Sequence, residues 1–201
     1  MDMVKKFDGL LDEEAARMLA SPTLPKINEA EGIVGLYGKV LSVGKVKKAG
    51  KNLVKNVLIG DETGCCILAL WGRNAEIELK EGDVIKVVNA IVKEGYYGKE
   101  INAGERSEIR KVRKNIYVKE CENFFNIEGK ITKKMPTSVY VNGEHERFIK
   151  KIFVGNDCIY LINERIKDAR DIEIGSEIEI KWAYTKNGKI FVDDIGRISR
   201  K

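Results

Sequence analysis

Two stretches of this chain repeat one pattern at a nearly constant distance, and that repeat limits the fold more than any single motif. Gly38-Lys39-Val40 returns as Gly129-Lys130-Ile131, 91 residues on. Gly82-Asp83-Val84-Ile85 returns as Gly175-Ser176-Glu177-Ile178, 93 residues on, and Gly98-Lys99 as Gly188-Lys189, 90 residues on. A stable offset across three landmarks means two copies of one supersecondary unit. Each copy is built from short β-rich runs punctuated by Gly, Asn and Asp. In the first, GIVGLYGKVLSVGKV, NVLIG and CCILALW precede a short helical segment, NAEIELK, and then come VIKVVNAIVKE and KEINA. Three strands, a short helix and two strands is the order of a five-stranded Greek-key barrel. The second copy keeps that order through IEGKITKKMPTSVYV, RFIKKIFVG, NDCIYLI, the helical NERIKDARDI, SEIEIKWAYT and IFVDD.

The expected fold is therefore all-β: two tandem OB-fold barrels of five strands preceded by a short N-terminal helix. Val4, Phe7, Leu10, Leu11, Ala15, Met18 and Leu19 recur at helical spacing, and Ser21-Pro22 and Leu24-Pro25 end that helix. This divides the chain into an N-terminal helix and linker (1–26), a first OB-fold (27–112), a basic linker (113–122) and a divergent second OB-fold (123–201). Hydrophobic residues make up 43% of the 201 and charged residues 33%, a balance that suits packed cores rather than disorder. No apolar run approaches the roughly 20 residues that span a bilayer, and the first 20 residues lack a signal peptide's apolar stretch. The expectation is a cytoplasmic protein without a membrane partner.

The chemistry of catalysis finds little material here. Cys65, Cys66, Cys121 and Cys158 include no Cys-x-x-Cys pair, and His145 is the sole histidine, so no metal site is expected and the cysteines read as reduced thiols. No phosphate-cradling G-x-x-x-x-G-K-[ST] loop occurs, and no cofactor is expected. Asp193 and Asp194 are adjacent on a strand, so their side chains point apart. The expectation is a binding protein with no catalytic residues.

Net charge is +5, and residues 27–120 carry most of it, +4 from 17 basic and 13 acidic groups. That excess permits a polyanionic partner without proving one. Single-strand binders combine exposed aromatic faces with a basic groove. Trp71 ends the third strand just before Gly72-Arg73, beside the groove of an OB barrel. Neither face of CCILALW is polar, so spacing alone leaves Trp71 open as a core residue or a stacking platform. Tyr96-Tyr97 stands between Gly95 and Gly98 at the strand 4–5 hairpin, and two adjacent tyrosines there are not easily both buried. Lys45, Lys47, Lys48, Lys51 and Lys55 crowd the strand 1–2 loop, where they suit phosphate contact, and Arg73, Lys93 and Lys99 extend that track. Between the barrels, Arg106, Arg110, Lys111, Arg113, Lys114 and Lys119 read equally as a solvated linker or as a basic strap.

GLYGKVLSVGKV, IGDETGCCILALWG, EGDVIKVVNAIVKEG and GKEINAGERSEI together resemble the DNA-binding OB domains of archaeal replication protein A. The D-E-T-G turn before a strand ending L-W-G is the most diagnostic piece, and the match runs over residues 5–112. The resemblance implies that Trp71 and one of Tyr96 and Tyr97 stack bases, and that the chain coats and protects single-stranded DNA in replication, recombination and repair. The second copy departs from the pattern. Ile162 stands where Trp71 does, and the hairpin KNGK carries no aromatic residue. Two other readings stay beside the first: an accessory module whose second barrel docks replication or repair proteins, and an RNA-binding OB protein.

Overall fold

Alternation along Ile33–Val43 (β1) turns Val34, Leu36 and Val40 inward, and the following strands close a barrel around them. Past a register shift between Val40 and Ser42, the buried Ser42 hydroxyl donates to Ile195 O of the second copy at 2.7 Å. The computed structural model describes residues 24–142 and 145–201, so the expected N-terminal helix lies outside the described residues. The first sheet comprises β1, β2 (Lys47–Ala49), β3 (Asn52–Gly60), β4 (Cys65–Trp71), β5 (Val84–Gly95), β6 (Gly98–Ala103) and β7 (Glu108–Lys111). Its order is β1-β3-β4-β6-β5, and β5 returns to pair with β1, which closes a ring of five strands. The β4–β6 pair is parallel, as the Greek-key crossover requires, and β2 lengthens the β1–β3 hairpin.

The second sheet repeats the scheme. It holds β8 (Phe124–Asn142), β9 (His145–Val154), β10 (Asp157–Ile162), β11 (Glu177–Lys186), β12 (Lys189–Val192) and β13 (Arg197–Arg200). The order β12-β10-β9-β8-β11 is closed by β11–β12, again with one parallel pair, β10–β12. The helix expected between strands 3 and 4 shrinks to a 3₁₀ turn at Gly72–Glu76 and to a single α-helical turn, α1 (Arg165–Asp168). Asn89 and Trp182, 93 residues apart, both take positive φ, 57° and 60°, inside the fourth strand of their barrels. Trp182 sits within an interruption of the β11–β8 register. For a tryptophan this backbone is strained.

The D-E-T-G turn has a structural reason. Buried Asp61 accepts hydrogen bonds through Oδ1 from Thr63 N and Oγ1 and from Gly64 N, and its Oδ2 accepts Ile27 N at 2.8 Å. One carboxylate thus shapes the β3–β4 turn and anchors the segment that enters β1. Each barrel encloses its own apolar core.

A third apolar cluster joins them. Leu58 and Ile67, on the outside of the first barrel, are buried against Phe124, Tyr184 and Ile195 of the second. This explains why CCILALW has no polar face: Cys66, Leu68 and Leu70 fill the first core while Ile67 fills the seam. No described helix is long and apolar enough to cross a membrane.

Candidate nucleic-acid interface

Trp71 lies where the outer face of β4 runs clear of the seam. Ile67 is covered, whereas Trp71 is half-buried, four residues further along the same face. Its indole Nε1–H donates to Asn102 Oδ1 at 2.9 Å, across the parallel β4–β6 pair. Between them on that face stands Ala69, too small to cover the ring. The indole's one polar group is satisfied and its orientation fixed, so what remains to a ligand is its π surface. That suits stacking of a flat base.

The hairpin tyrosines separate. Tyr96 is 41% exposed, with Lys186 Nζ 3.2 Å from its ring centroid and Arg147 donating to its hydroxyl at 3.4 Å. Tyr97 turns into the seam. Its ring lies 5.9 Å from Phe124 and 5.0 Å, edge to face, from Tyr184, and its hydroxyl donates to Asp193. Tyr184 donates to the same carboxylate oxygen at 3.2 Å, and Ile195 N–H to the other at 3.3 Å. Burial, and then the neighbouring Asp194, push the Asp193 carboxyl above its usual range, and the Tyr97 hydrogen bond opposes them. This buried carboxylate at the seam had no signal in the sequence beyond the Asp-Asp pair itself.

The expected lysine track is split among three roles. Lys48 and Lys51 are exposed on the β1–β3 hairpin. Lys45 and Lys47 reach the second barrel instead, pairing with Glu164 at 3.0 Å and Asp194 at 2.6 Å. Lys55 is only 6% exposed, its ammonium donates to the Ile77 carbonyl at the end of the barrel, and burial lowers its pKa. β3 alternates Lys55, Val57 and Ile59 inward, so this lysine follows the core face of its strand. Arg73 donates to Glu105 O at 2.9 Å and Lys99 to Asn28 O at 2.8 Å, while Lys93 is exposed on β5.

The basic linker packs on the first barrel. Ile116 is buried, Lys119 N donates to Asp61 O at 3.0 Å, and Lys114 Nζ lies 4.0 Å from the Tyr37 ring centroid. Arg110 and Lys111 are paired with Glu108 and Asp83. A disulfide between Cys65 and Cys121, with Cα atoms 5.2 Å apart, ties the strap to β4. This corrects the expectation of four reduced thiols: the strap's path brings together two cysteines 56 residues apart in sequence. Cys66, buried in the first core, has its thiol pushed up to about 12 by that burial and is unreactive.

No family model matches the chain. Over 101 residues it is 29% identical to replication factor A of Methanothermobacter thermautotrophicus, a stretch that is 48% of this chain and 13% of that protein. Over 62 residues it is 37% identical to the single-stranded DNA binding protein Ssb of Saccharolobus solfataricus, which is 31% of this chain and 41% of that one. The matched stretches thus make up less than half the length of either relative. A replication protein A heterotrimer bound to ssDNA superposes with a TM-score of 0.55 at 12% identity, over 89% of this chain and 52% of that one. At that identity the likeness is one of fold.

Proposed function

Starting from the chain's relationship to the archaeal replication factor A family of OB-fold proteins, we propose that it binds single-stranded DNA on the first barrel, with Trp71 as the stacking anchor. The observation that carries this reading is the held indole on the open end of β4, its Nε1–H taken by Asn102. Tyr96, the solvent-open tyrosine of the hairpin, is the second stacking candidate, and Lys48, Lys51 and Lys93 are the exposed cations of the expected track that hold no partner among the described residues, unlike Lys45, Lys47 and Arg73. Coating of exposed strands in replication, recombination and repair is the role we assign to this binding. No catalytic step is assigned.

The test is a titration of the full chain against fluorescein-labelled oligo-dT, read by anisotropy, with an RNA oligomer of matching sequence as competitor. Binding that is tight, salt-sensitive and preferential for DNA supports the reading. Equal or better competition by RNA redirects it to RNA, and no binding to either removes it. An accessory role for the second barrel has its own observation. Val139 and Val141 on β8 and Phe148, opposite Val139 on β9, are exposed on one face near the tip of the β8–β9 hairpin, an apolar patch suited to a protein partner.

A further inference from the structure

The second barrel carries an aromatic row that strand alignment by sequence does not reveal. Ile159 and Leu161 of β10 face the core, so Tyr160 between them faces out. Its partner on β12 is Phe191, and its partner on β9 is Lys151. The Tyr160 and Phe191 rings lie 5.2 Å apart, and Phe191 stacks on Tyr184 at 5.7 Å. Tyr184 meets Tyr96 of the first barrel's hairpin at 6.1 Å. Both Tyr160 and Phe191 keep part of their surface open to solvent.

The corresponding row of the first barrel is Ala69–Asn102. In both barrels these pairs follow inward-facing partners, Leu68–Ile101 and Ile159–Ile190, on the parallel third and fifth strands. The two barrels are thus complementary. Where the first has a small and a polar residue, with Trp71 two positions on, the second has two rings, with a buried Ile162 two positions on.

Cations surround the second row. Lys151 and Lys189 stand 5.3 and 5.6 Å from the Tyr160 ring centroid, and Lys133 stands 5.8 Å from that of Phe153, which is on the same outer face. None of these three lysines pairs with a carboxylate among the described residues. Flat π faces rimmed by uncompensated ammonium groups match the bases and phosphates of a single strand.

We propose that Tyr160 and Phe191 form a second base-stacking platform for single-stranded DNA, with Lys133, Lys151 and Lys189 on the phosphates. The proposal rests on the single-strand reading of the first barrel. The Ile162 substitution therefore moves the second barrel's site by two residues rather than erasing it.

The experiment uses the full chain and labelled oligo-dT of increasing length, up to 30 nucleotides. A Tyr160→Ala/Phe191→Ala double variant should bind the longest oligomer at least about fivefold more weakly than wild type, the equivalent of 1 kcal/mol at 1.4 kcal/mol per tenfold. It should bind oligomers short enough to fill only one barrel much as wild type does. Tyr160→Phe, which keeps the ring, should behave as wild type throughout. Lys151→Gln/Lys189→Gln leaves the rings in place and should lower the slope of log affinity against log salt by about 2. That second pair keeps the test valid if the double alanine variant unfolds. Unchanged binding and salt slope in these variants, while Trp71→Ala weakens binding, would overturn the second platform and leave the first. No binding by wild type would remove both.

Discussion

Tyr97 offers the sharpest test of how the two barrels are joined. Tyr97→Phe keeps the ring against Phe124 and Tyr184 but removes the hydroxyl that donates to Asp193. Asp193 is then left with Tyr184 O–H at 3.2 Å and Ile195 N–H at 3.3 Å, both longer contacts. A hydrogen bond to a buried charge contributes about 1.5–3 kcal/mol, and that is the expected loss of unfolding free energy at neutral pH. The sign of the pH dependence follows from linkage. The folded-state pKa of Asp193 is raised, so its carboxylate costs stability as pH rises from the unfolded value of about 4 towards the folded one. The Tyr97 hydroxyl favours the carboxylate and reduces that cost. Tyr97→Phe raises the pKa further, so its deficit is largest above that pKa and shrinks as pH falls through it. Urea unfolding of both proteins between pH 4 and 8, followed by tryptophan fluorescence, gives the two free energies. A midpoint equal to wild type at pH 8, or a deficit that does not change with pH, would refute the assignment of this bond. DNA affinity should change little, because the hydroxyl faces the seam.

Trp71→Ala should weaken binding to oligo-dT by about 1–3 kcal/mol, measured by anisotropy at fixed salt, and no loss would mean that the stacking face lies elsewhere. Lys55→Gln and Lys51→Gln should separate structure from phosphate contact. The first lowers the urea midpoint and leaves the salt slope of binding intact, since the Lys55 ammonium is held by Ile77 O; the second leaves stability intact and lowers that slope by about 1. Cys121→Ser, compared with wild type under non-reducing conditions, should lose up to about 4 kcal/mol of unfolding free energy on the chain-entropy model, given the sequence separation of 56 residues. An intact wild-type mass without the loss of two hydrogens would remove the bridge altogether.

The repeat made the two barrels legible, because Gly and Asn positions that need unusual backbone recur with the strand order. Gly82 and Gly175 both take positive φ, as do Gly98 and Gly188. What the sequence could not disclose was the seam. Strand alternation marks an inner and an outer face, but an outer face that is apolar looks the same whether it meets solvent, ligand or a second barrel. CCILALW therefore left Ile67 and Trp71 indistinguishable, and only the packing of Phe124, Tyr184 and Ile195 separates them. The same ambiguity put Lys55 in the loop track, although its place in the inward series of β3 was readable once Val57 and Ile59 were known to face the core. Tyr160 is legible on the third strand two residues before the position of Trp71, but its partner Phe191 lies on a different strand, so alignment of the copies does not pair the two rings.

The seam also bears on how a strand would cross the molecule. It occupies the half of the first barrel's outer face that holds Leu58 and Ile67, which leaves the half with Trp71 and Asn102. From Asn102, β6 runs back to the hairpin at Tyr97, five residues or about 17 Å at the rise of an extended strand. There the rings continue without a break, from Tyr97 to Tyr184 at 5.0 Å, then to Phe191 at 5.7 Å and Tyr160 at 5.2 Å. Tyr184 is the buried link of that series, while Trp71, Tyr97, Phe191 and Tyr160 each keep part of their surface open. The family resemblance assigns base stacking to one of the two hairpin tyrosines; here Tyr97 packs into the seam between the barrels and Tyr96 keeps the solvent-facing position. If binding follows this line, the loss from Trp71→Ala and the loss from Tyr160→Ala/Phe191→Ala should add for long oligomers, because the two sites share no residue. A deficit in the triple variant well below the sum would place both sets of rings on a single contact.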